Sequence, residues 1–228
     1  GMASALGYRV LDNSGREVDP VGASMTSIKK IIPPQKHLGI RITAACDVDN
    51  PLFGEQGAAF VFAPQKGADE AMVKELDNGL RNMADLIKRD LGKDAAFLPG
   101  SGAAGGMGAG VVAFLDGSLR SGIDLVLDAA DFDKYLEKSD YVITGEGRMD
   151  AQSMRGKVPA GVARRAAANG KTVIAVNGSL GAGAQEMLNH GIDAVYAAVT
   201  EEKSMEEILR TCREDLFNIS VKAIKDLI

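Results

Sequence analysis

Apolar residues follow two different rhythms along this chain. Up to about residue 139, short apolar runs are separated by long polar and glycine-rich interruptions; from Asp140 onward, strand-length apolar runs alternate with helix-length segments. Ala3 to Leu6 reads as the end of a helix stopped by Gly7, followed by a short strand at Tyr8-Arg9-Val10-Leu11 and a turn at Asp12-Asn13-Ser14-Gly15. Pro33-Pro34 breaks the chain, and Gly39 to Cys46 reads as a buried strand ending at the polar loop Asp47-Val48-Asp49-Asn50-Pro51. Asp69 suits the N-cap of a long helix with Met72, Leu76, Leu80, Met83, Leu86 and Ile87 on one face. A glycine-dense loop at 99–110 runs into a predicted helix at 111–115, and 122–130 reads as another helix.

In the second half, strands are predicted at 141–144, 172–176 and 194–199, and helices at 160–168 and 184–189. Ser204 with Glu207 forms a capping box for a final helix. Apolar strands alternating with helices specify a parallel α/β sheet with right-handed crossovers. Three strands are few for a free-standing doubly wound sheet, so further strands are expected to be missing.

Composition narrows the function classes. The 228 residues are 46% apolar and 25% charged, ordinary for a globular protein, and the net charge of −5 argues against nucleic acid as a partner. No apolar run is long enough for a membrane span and no secretory h-region opens the chain, so a cytoplasmic protein is expected. Two cysteines set no disulfide pattern, and 27 glycines with 5% aromatics suit a binder of phosphates or small molecules.

Ligands of open α/β sheets sit beyond the carboxyl ends of the strands. The 141–144 strand ends in Thr144-Gly145-Glu146-Gly147-Arg148-Met149-Asp150. Arg148 there suits a carboxylate or phosphate, and Glu146 or Asp150 suits Mg²⁺ ligation or proton acceptance; the alternative is a solvated turn. Asn177-Gly178-Ser179-Leu180-Gly181 is a second such loop, or a plain turn with Ser179 as a cap. Lys157, before a helix start near Pro159, is placed for a phosphate or is merely solvated. In the first half, Asp47 to Asn50 reads as Mg²⁺ or hydroxyl recognition, or as a loop with no role. Gln65-Lys66-Gly67 reads as an anion contact, or as the exit from one helix before the next. Gly100, Gly102 and Gly105 spell GxGxxG, but no apolar strand clearly precedes them and a dinucleotide fold is rejected; the loop suits an anion or close helix packing. His37 and His190 are too isolated for a metal pair, and His190 reads as a helix end before Gly191.

Taken in order, these loops resemble the bacterial-type glycerate kinase family. The resemblance rests on 45–54, 64–68, Pro99-Gly100-Ser101-Gly102-Ala103-Ala104-Gly105-Gly106-Met107-Gly108, 143–150, 156–163 and 178–180, and it covers essentially the whole chain. Met149 and Asn177 depart from it, standing where Ile and a small apolar residue are usual. The resemblance implies ATP-dependent phosphorylation of glycerate to phosphoglycerate, with ATP and Mg²⁺. It assigns Arg148 or Lys66 to the substrate carboxylate or phosphates, and Asp47 and Asp150 to base and Mg²⁺ ligand in either order. Asn50, Gln65, Gly100, Ser101, Gly102, Gly105, Gly106, Gly145, Glu146, Gly147, Lys157 and Ser179 become substrate or phosphate contacts.

Family members are longer, with an amino-terminal region that carries a first strand and two further loops. The implied architecture is a Rossmann-like parallel sheet, of which 139–228 is the carboxyl half, plus an inserted α/β domain supplying 1–138, with the active site between the two domains. The missing strands imply an exposed sheet edge, covered in a homo-oligomer or by a second polypeptide. The competing reading is a non-catalytic remnant that binds small molecules or a protein partner.

Overall fold

The computed structural model describes residues 1–35, 39–154, 157–200 and 203–227, so His37 and Gly156 lie outside the described residues. The chain divides into two compact units, Gly1–Arg120 and Ser121–Ile228.

The first unit is built around one long helix. Its elements are helix α1 (Met2–Ala5), strands β1 (Arg9–Leu11), β2 (Lys30–Ile32) and β3 (Thr43–Ala45), helices α2 (Ala58–Phe62), α3 (Glu70–Leu91) and α4 (Ala103–Leu115), and strand β4 (Ser118–Arg120). The Asp69 carboxylate accepts the Met72 N–H and starts α3, and Gly92 at φ +68° ends it. Leu86 and Ile87 of α3 join Tyr8, Val10, Ile28, Ile31 and Ala113 in one core. Val73 and Leu80 join Leu52, Ala58, Ala59, Ala95 and Ala109 in a second. Each fully buried Ile or Leu contributes about 1.5–3 kcal/mol. β1 pairs antiparallel with β2, and β3 parallel with β4.

Three sequence expectations change here. The strand expected at 39–46 is only β3, and none of its residues is buried, because a sheet of β3 and β4 alone cannot cover both faces of an apolar run. Met72 is 52% exposed, since the buried face of α3 runs through Val73, Asp77 and Leu80. The glycine loop becomes helical only toward its end: the segment assigned to α4 from Ala103 is interrupted by three left-handed residues, Ala104, Gly105 and Gly106, before the regular helix continues.

Asp90, near the end of α3, ties the helix to β2. Its Oδ2 accepts the Ile31 N–H at 2.7 Å and its Oδ1 accepts Arg89 Nε at 2.7 Å. The Arg89 hydrogen bond, aided by the Ile31 amide, holds the Asp90 carboxyl below its usual range against the opposing effect of burial. A carboxylate whose folded pKa is depressed stabilises the fold above its unfolded value, near 3.9, and that contribution is lost as pH falls through the folded value. Urea midpoints of the native chain are therefore expected to fall as pH drops below about 4, and less steeply in Asp90→Asn. Equal slopes in the two proteins would remove Asp90 from the account.

The second unit is a parallel α/β layer. Helices α5 (Gly122–Ala129) and α6 (Phe132–Leu136) lead into strands β5 (Tyr141–Thr144) and β6 (Arg148–Met149), helix α7 (Val158–Ala168), strands β7 (Thr172–Asn177), β8 (Ser179–Leu180) and β9 (Ala194–Ala197), and helix α8 (Met205–Lys225). The sheet order is β5-β7-β9, all parallel, with Val142 opposite Val173 and Ile174 opposite Ala194. Val173, Ile174 and Ala175 of central β7 are fully buried, as both-face coverage demands. α7 packs on β5 and β7 through Val162, Ala163 and Ala166, and α8 lies against β7 and β9. The Ser204–Glu207 capping box starts α8, as expected. β9 stops two residues short of its expected end, and 184–190 is a 3-10 helix rather than an α-helix, closing with His190 before Gly191 as expected. Tyr141 and Ile143 on edge strand β5 are 48% and 58% exposed, and Leu209 and Phe217 of α8 also face solvent. No helix among the described residues is long and apolar enough to cross a membrane.

Candidate active-site loops and the family they belong to

The candidate residues fall into two groups, one in each unit. In the first unit, the 46–52 segment lies against 95–102. Gly102 N–H donates to the Asn50 carbonyl at 2.9 Å, and Leu52 N–H to that of Ala96 at 2.8 Å. A side chain at Gly102 would meet the Pro51 carbonyl oxygen at 2.2 Å, so this glycine is required by chain-to-chain contact. Asn50 Nδ2 donates to the Gln56 carbonyl at 2.8 Å, folding the polar loop on itself. Ser101 is fully buried, its hydroxyl donating to the Ala95 carbonyl beneath the loop. Gln65 and Lys66 sit in the 3-10 turn after α2. Lys66 and Gly105 line one cavity of about 170 Å³, walled by Met25, Phe62 and Leu80. A Cβ at Gly106 would meet Leu52 and one at Gly100 would meet Cys46, whereas one at Gly105 would meet nothing within 4 Å. Asp47 is exposed on the loop that follows β3.

Sequence reasoning passed over Asp77 of α3, a carboxylate only 4% exposed. Its Oδ1 accepts the Gly54 N–H at 2.7 Å and its Oδ2 accepts Arg81 Nε at 2.9 Å. The Arg81 guanidinium stacks 4.4 Å from the Phe53 ring centroid. Asp77 thus anchors the carboxyl end of the Asn50 loop to the long helix. Its signal in the sequence was a charge set among the apolar positions Val73, Leu76 and Leu80.

In the second unit, the loops after β5 and β7 run side by side. Gly178 N–H donates to Glu146 O and Ser179 N–H to Gly147 O, each at 3.0 Å, and Gly181 N–H to Met149 O at 2.7 Å. β6 and β8 pair parallel, with Arg148 opposite Ser179. A Cβ at Gly145 would meet the Val176 carbonyl oxygen at 1.8 Å, whereas one at Gly147 would meet nothing within 4 Å. Arg148 and Asp150 flank Gly181, whose missing Cβ would lie 3.1 Å from Arg148 Nε and 3.0 Å from Asp150 Cβ. Asp150 Oδ1 accepts the Gln152 N–H at 2.8 Å. Glu146 Oε1 is buried with no hydrogen-bond partner. Lys157 is the exposed N-cap of α7, a position where the helix dipole disfavours a cation unless an anion is near.

The structure therefore brings Glu146, Gly147, Arg148, Asp150 and Ser179 into one patch at the carboxyl end of the parallel sheet, and Asn50, Gly100, Ser101 and Gly102 into another group beside β3. Oxygen donors suit a hard cation: Mg²⁺ takes one or two carboxylates in company with phosphates, and the 144–150 loop carries two carboxylates, Asp150 and Glu146, the latter with a partnerless oxygen. Among the described residues no cluster of three or more His, Cys, Asp and Glu stands ready for a metal.

Comparison with known proteins gives these loops a context. The glycerate kinase family model matches residues 1–227. A glycerate kinase from Bacillus cereus is 48% identical over 221 residues, which is 95% of this chain and 58% of that protein. A glycerate 2-kinase from Escherichia coli is 43% identical over 225 residues, again covering 58% of its length. The solved structure of a protein provisionally named glycerate kinase 2, from Salmonella typhimurium LT2, covers the whole chain with a TM-score of 0.74 and 38% identity; the chain covers 61% of it. The α/β architecture with parallel sheets agrees with that neighbour. The chain spans little more than half the length of these relatives, and it belongs to the glycerate kinase family.

Proposed function

We propose that this chain carries phosphoryl-transfer machinery of an ATP-dependent glycerate kinase. The observation that supports this most is the patch at the carboxyl end of the parallel sheet, where Arg148 and Asp150 flank Gly181 and Arg148 pairs with Ser179, on the loop that also carries Glu146, in a family member. Transfer of a terminal phosphoryl group is mostly positioning and charge stabilisation. Arg148 or Lys66 holds the glycerate carboxylate or the phosphates, and Lys157 adds positive charge at the start of α7. Backbone N–H groups around Gly105 and Gly147 approach phosphate oxygens, both glycines facing open space. Asp47 and Asp150 divide the roles of proton acceptor for the attacking hydroxyl and oxygen ligand for the cation. Mg²⁺, entering with ATP, supplies charge neutralisation on the terminal phosphates.

In this reading, 1–138 corresponds to the inserted domain and 139–228 to the carboxyl half of a Rossmann-like domain. The edge position of β5, paired on one side only among the described strands, supports a sheet that continues into the part of the relatives this chain does not span, and its Tyr141 and Ile143 are exposed. A homo-oligomer is the other way to cover them. We place the protein in the cytoplasm, with no nucleic acid or membrane partner.

The test is an acceptor panel. A chimera is made in which this chain replaces the 58% of the Bacillus cereus glycerate kinase that it matches. ATP consumption is compared with glycerate, lactate and glycerol, and ³¹P NMR identifies the product as 2- or 3-phosphoglycerate. Glycerate alone is expected to support turnover. Equal turnover with glycerol would refute the carboxylate-binding role.

A further inference from the structure

We propose that Asn177 is a positioning residue that fixes the Gly145–Met149 loop by a single buried carboxamide. The geometry stands by itself; its consequence for turnover rests on the phosphoryl-transfer reading.

Asn177 is the last residue of β7 and is 0% exposed. Its Oδ1 accepts the Glu146 N–H at 3.1 Å. Its Nδ2 donates to the Tyr196 carbonyl of β9 at 3.2 Å and lies 3.6 Å from Met149 Sδ. One side chain thus joins the segment leaving β5, the loop that carries Arg148 and Asp150, to strands β7 and β9. A carboxamide supplies an uncharged acceptor and a two-proton donor on separate atoms, so it reaches both partners at once. An apolar residue leaves the Glu146 N–H and the Tyr196 carbonyl without that partner, and an aspartate keeps only the acceptor.

The neighbouring bonds make the effect local. Gly178 N–H to Glu146 O, Ser179 N–H to Gly147 O and Gly181 N–H to Met149 O are backbone bonds that do not use the Asn177 side chain. What depends on the carboxamide is the Glu146 N–H, directly next to the side chain whose Oε1 is buried and partnerless. The position of that oxygen is therefore set through the backbone, and Asn177 sets the backbone.

Two variants separate positioning from bulk stability. In Asn177→Ala the Glu146 amide is expected to lose about tenfold in hydrogen-exchange protection, while the amides of Val173 and Ile174 in the sheet centre stay protected. In Asn177→Asp, which keeps the acceptor, the Glu146 amide is expected to retain protection even though a buried charge lowers the melting temperature. If Asn177→Asp does not fold, Asn177→Ser supplies a short hydroxyl acceptor for the same comparison. In the Bacillus cereus chimera, Asn177→Ala is expected to lower kcat by about 10- to 100-fold with KM for glycerate changed far less, as a misplaced loop would do. Unchanged Glu146 exchange in Asn177→Ala overturns the positioning role, and so does a kcat equal to that of the parent chimera when exchange has risen. A parent chimera inactive toward glycerate refutes the kinase reading instead, and the exchange measurement still decides whether Asn177 holds the loop.

Discussion

Asp150→Asn in the chimera is expected to lower kcat by about 10²- to 10⁴-fold while leaving the melting temperature within a few degrees of the parent. Asparagine keeps the shape and the acceptor for the Gln152 N–H but removes the charge needed for a cation or for taking a proton. Asp47→Asn is expected to behave alike, since asparagine keeps the shape of this exposed side chain and removes its charge. The check is steady-state ADP release alongside thermal melts. Near-parent turnover in both variants would remove these aspartates from the chemistry, and a large loss of melting temperature would make their role structural.

Two glycines two residues apart are expected to give opposite results. Gly145→Ala drives a methyl into the Val176 carbonyl, so the strand end must move, at a cost of about 3 kcal/mol or more. For a unit of roughly 100 residues that lowers the melting temperature by about 10 °C or more. Gly147→Ala meets open space and needs no left-handed backbone, so its stability is expected to change by less than about 0.5 kcal/mol. If Gly147 approaches a phosphate, the added methyl instead lowers turnover in the chimera. Loss of stability in Gly147→Ala, or none in Gly145→Ala, would contradict the loop geometry.

The sequence carried the second unit well for a physical reason. Central parallel strands are covered on both faces, so Thr172 to Asn177 is a nearly continuous apolar run that periodicity identifies. Two-residue pairs such as β6 with β8 hold no periodicity, and β4, Ser-Leu-Arg, carries no signal at all. The 39–46 run was overread because apolar residues announce a strand without announcing how many partners it will find.

The loops were legible through residue type: glycines beside carboxylates and an arginine at strand ends. Their internal logic was not. Glycine density suggested phosphate approach, yet Gly102 and Gly145 are occupied by neighbouring carbonyls, and only geometry shows which way a Cα faces. Asp77 was missed, and Asn177 was read only as the first residue of a loop, because each is polar beside an apolar pattern and its partner, the Gly54 or the Glu146 amide, is 23 or 31 residues away in sequence. Ser101 was assigned to a ligand, but its hydroxyl is bonded to the Ala95 carbonyl.

The most direct test of the account is glycerate-dependent ADP release, measured for the chimera and for the 228-residue chain alone at equal concentration. The chain covers 58% of the Bacillus cereus enzyme, and phosphoryl transfer tolerates little misplacement: an error of about 1 Å costs roughly a hundredfold. The expected result is turnover by the chimera well above the background without acceptor, and turnover by the chain alone at least about 100-fold lower. A folded chimera that releases no ADP with glycerate would contradict the assignment of phosphoryl-transfer machinery to these loops.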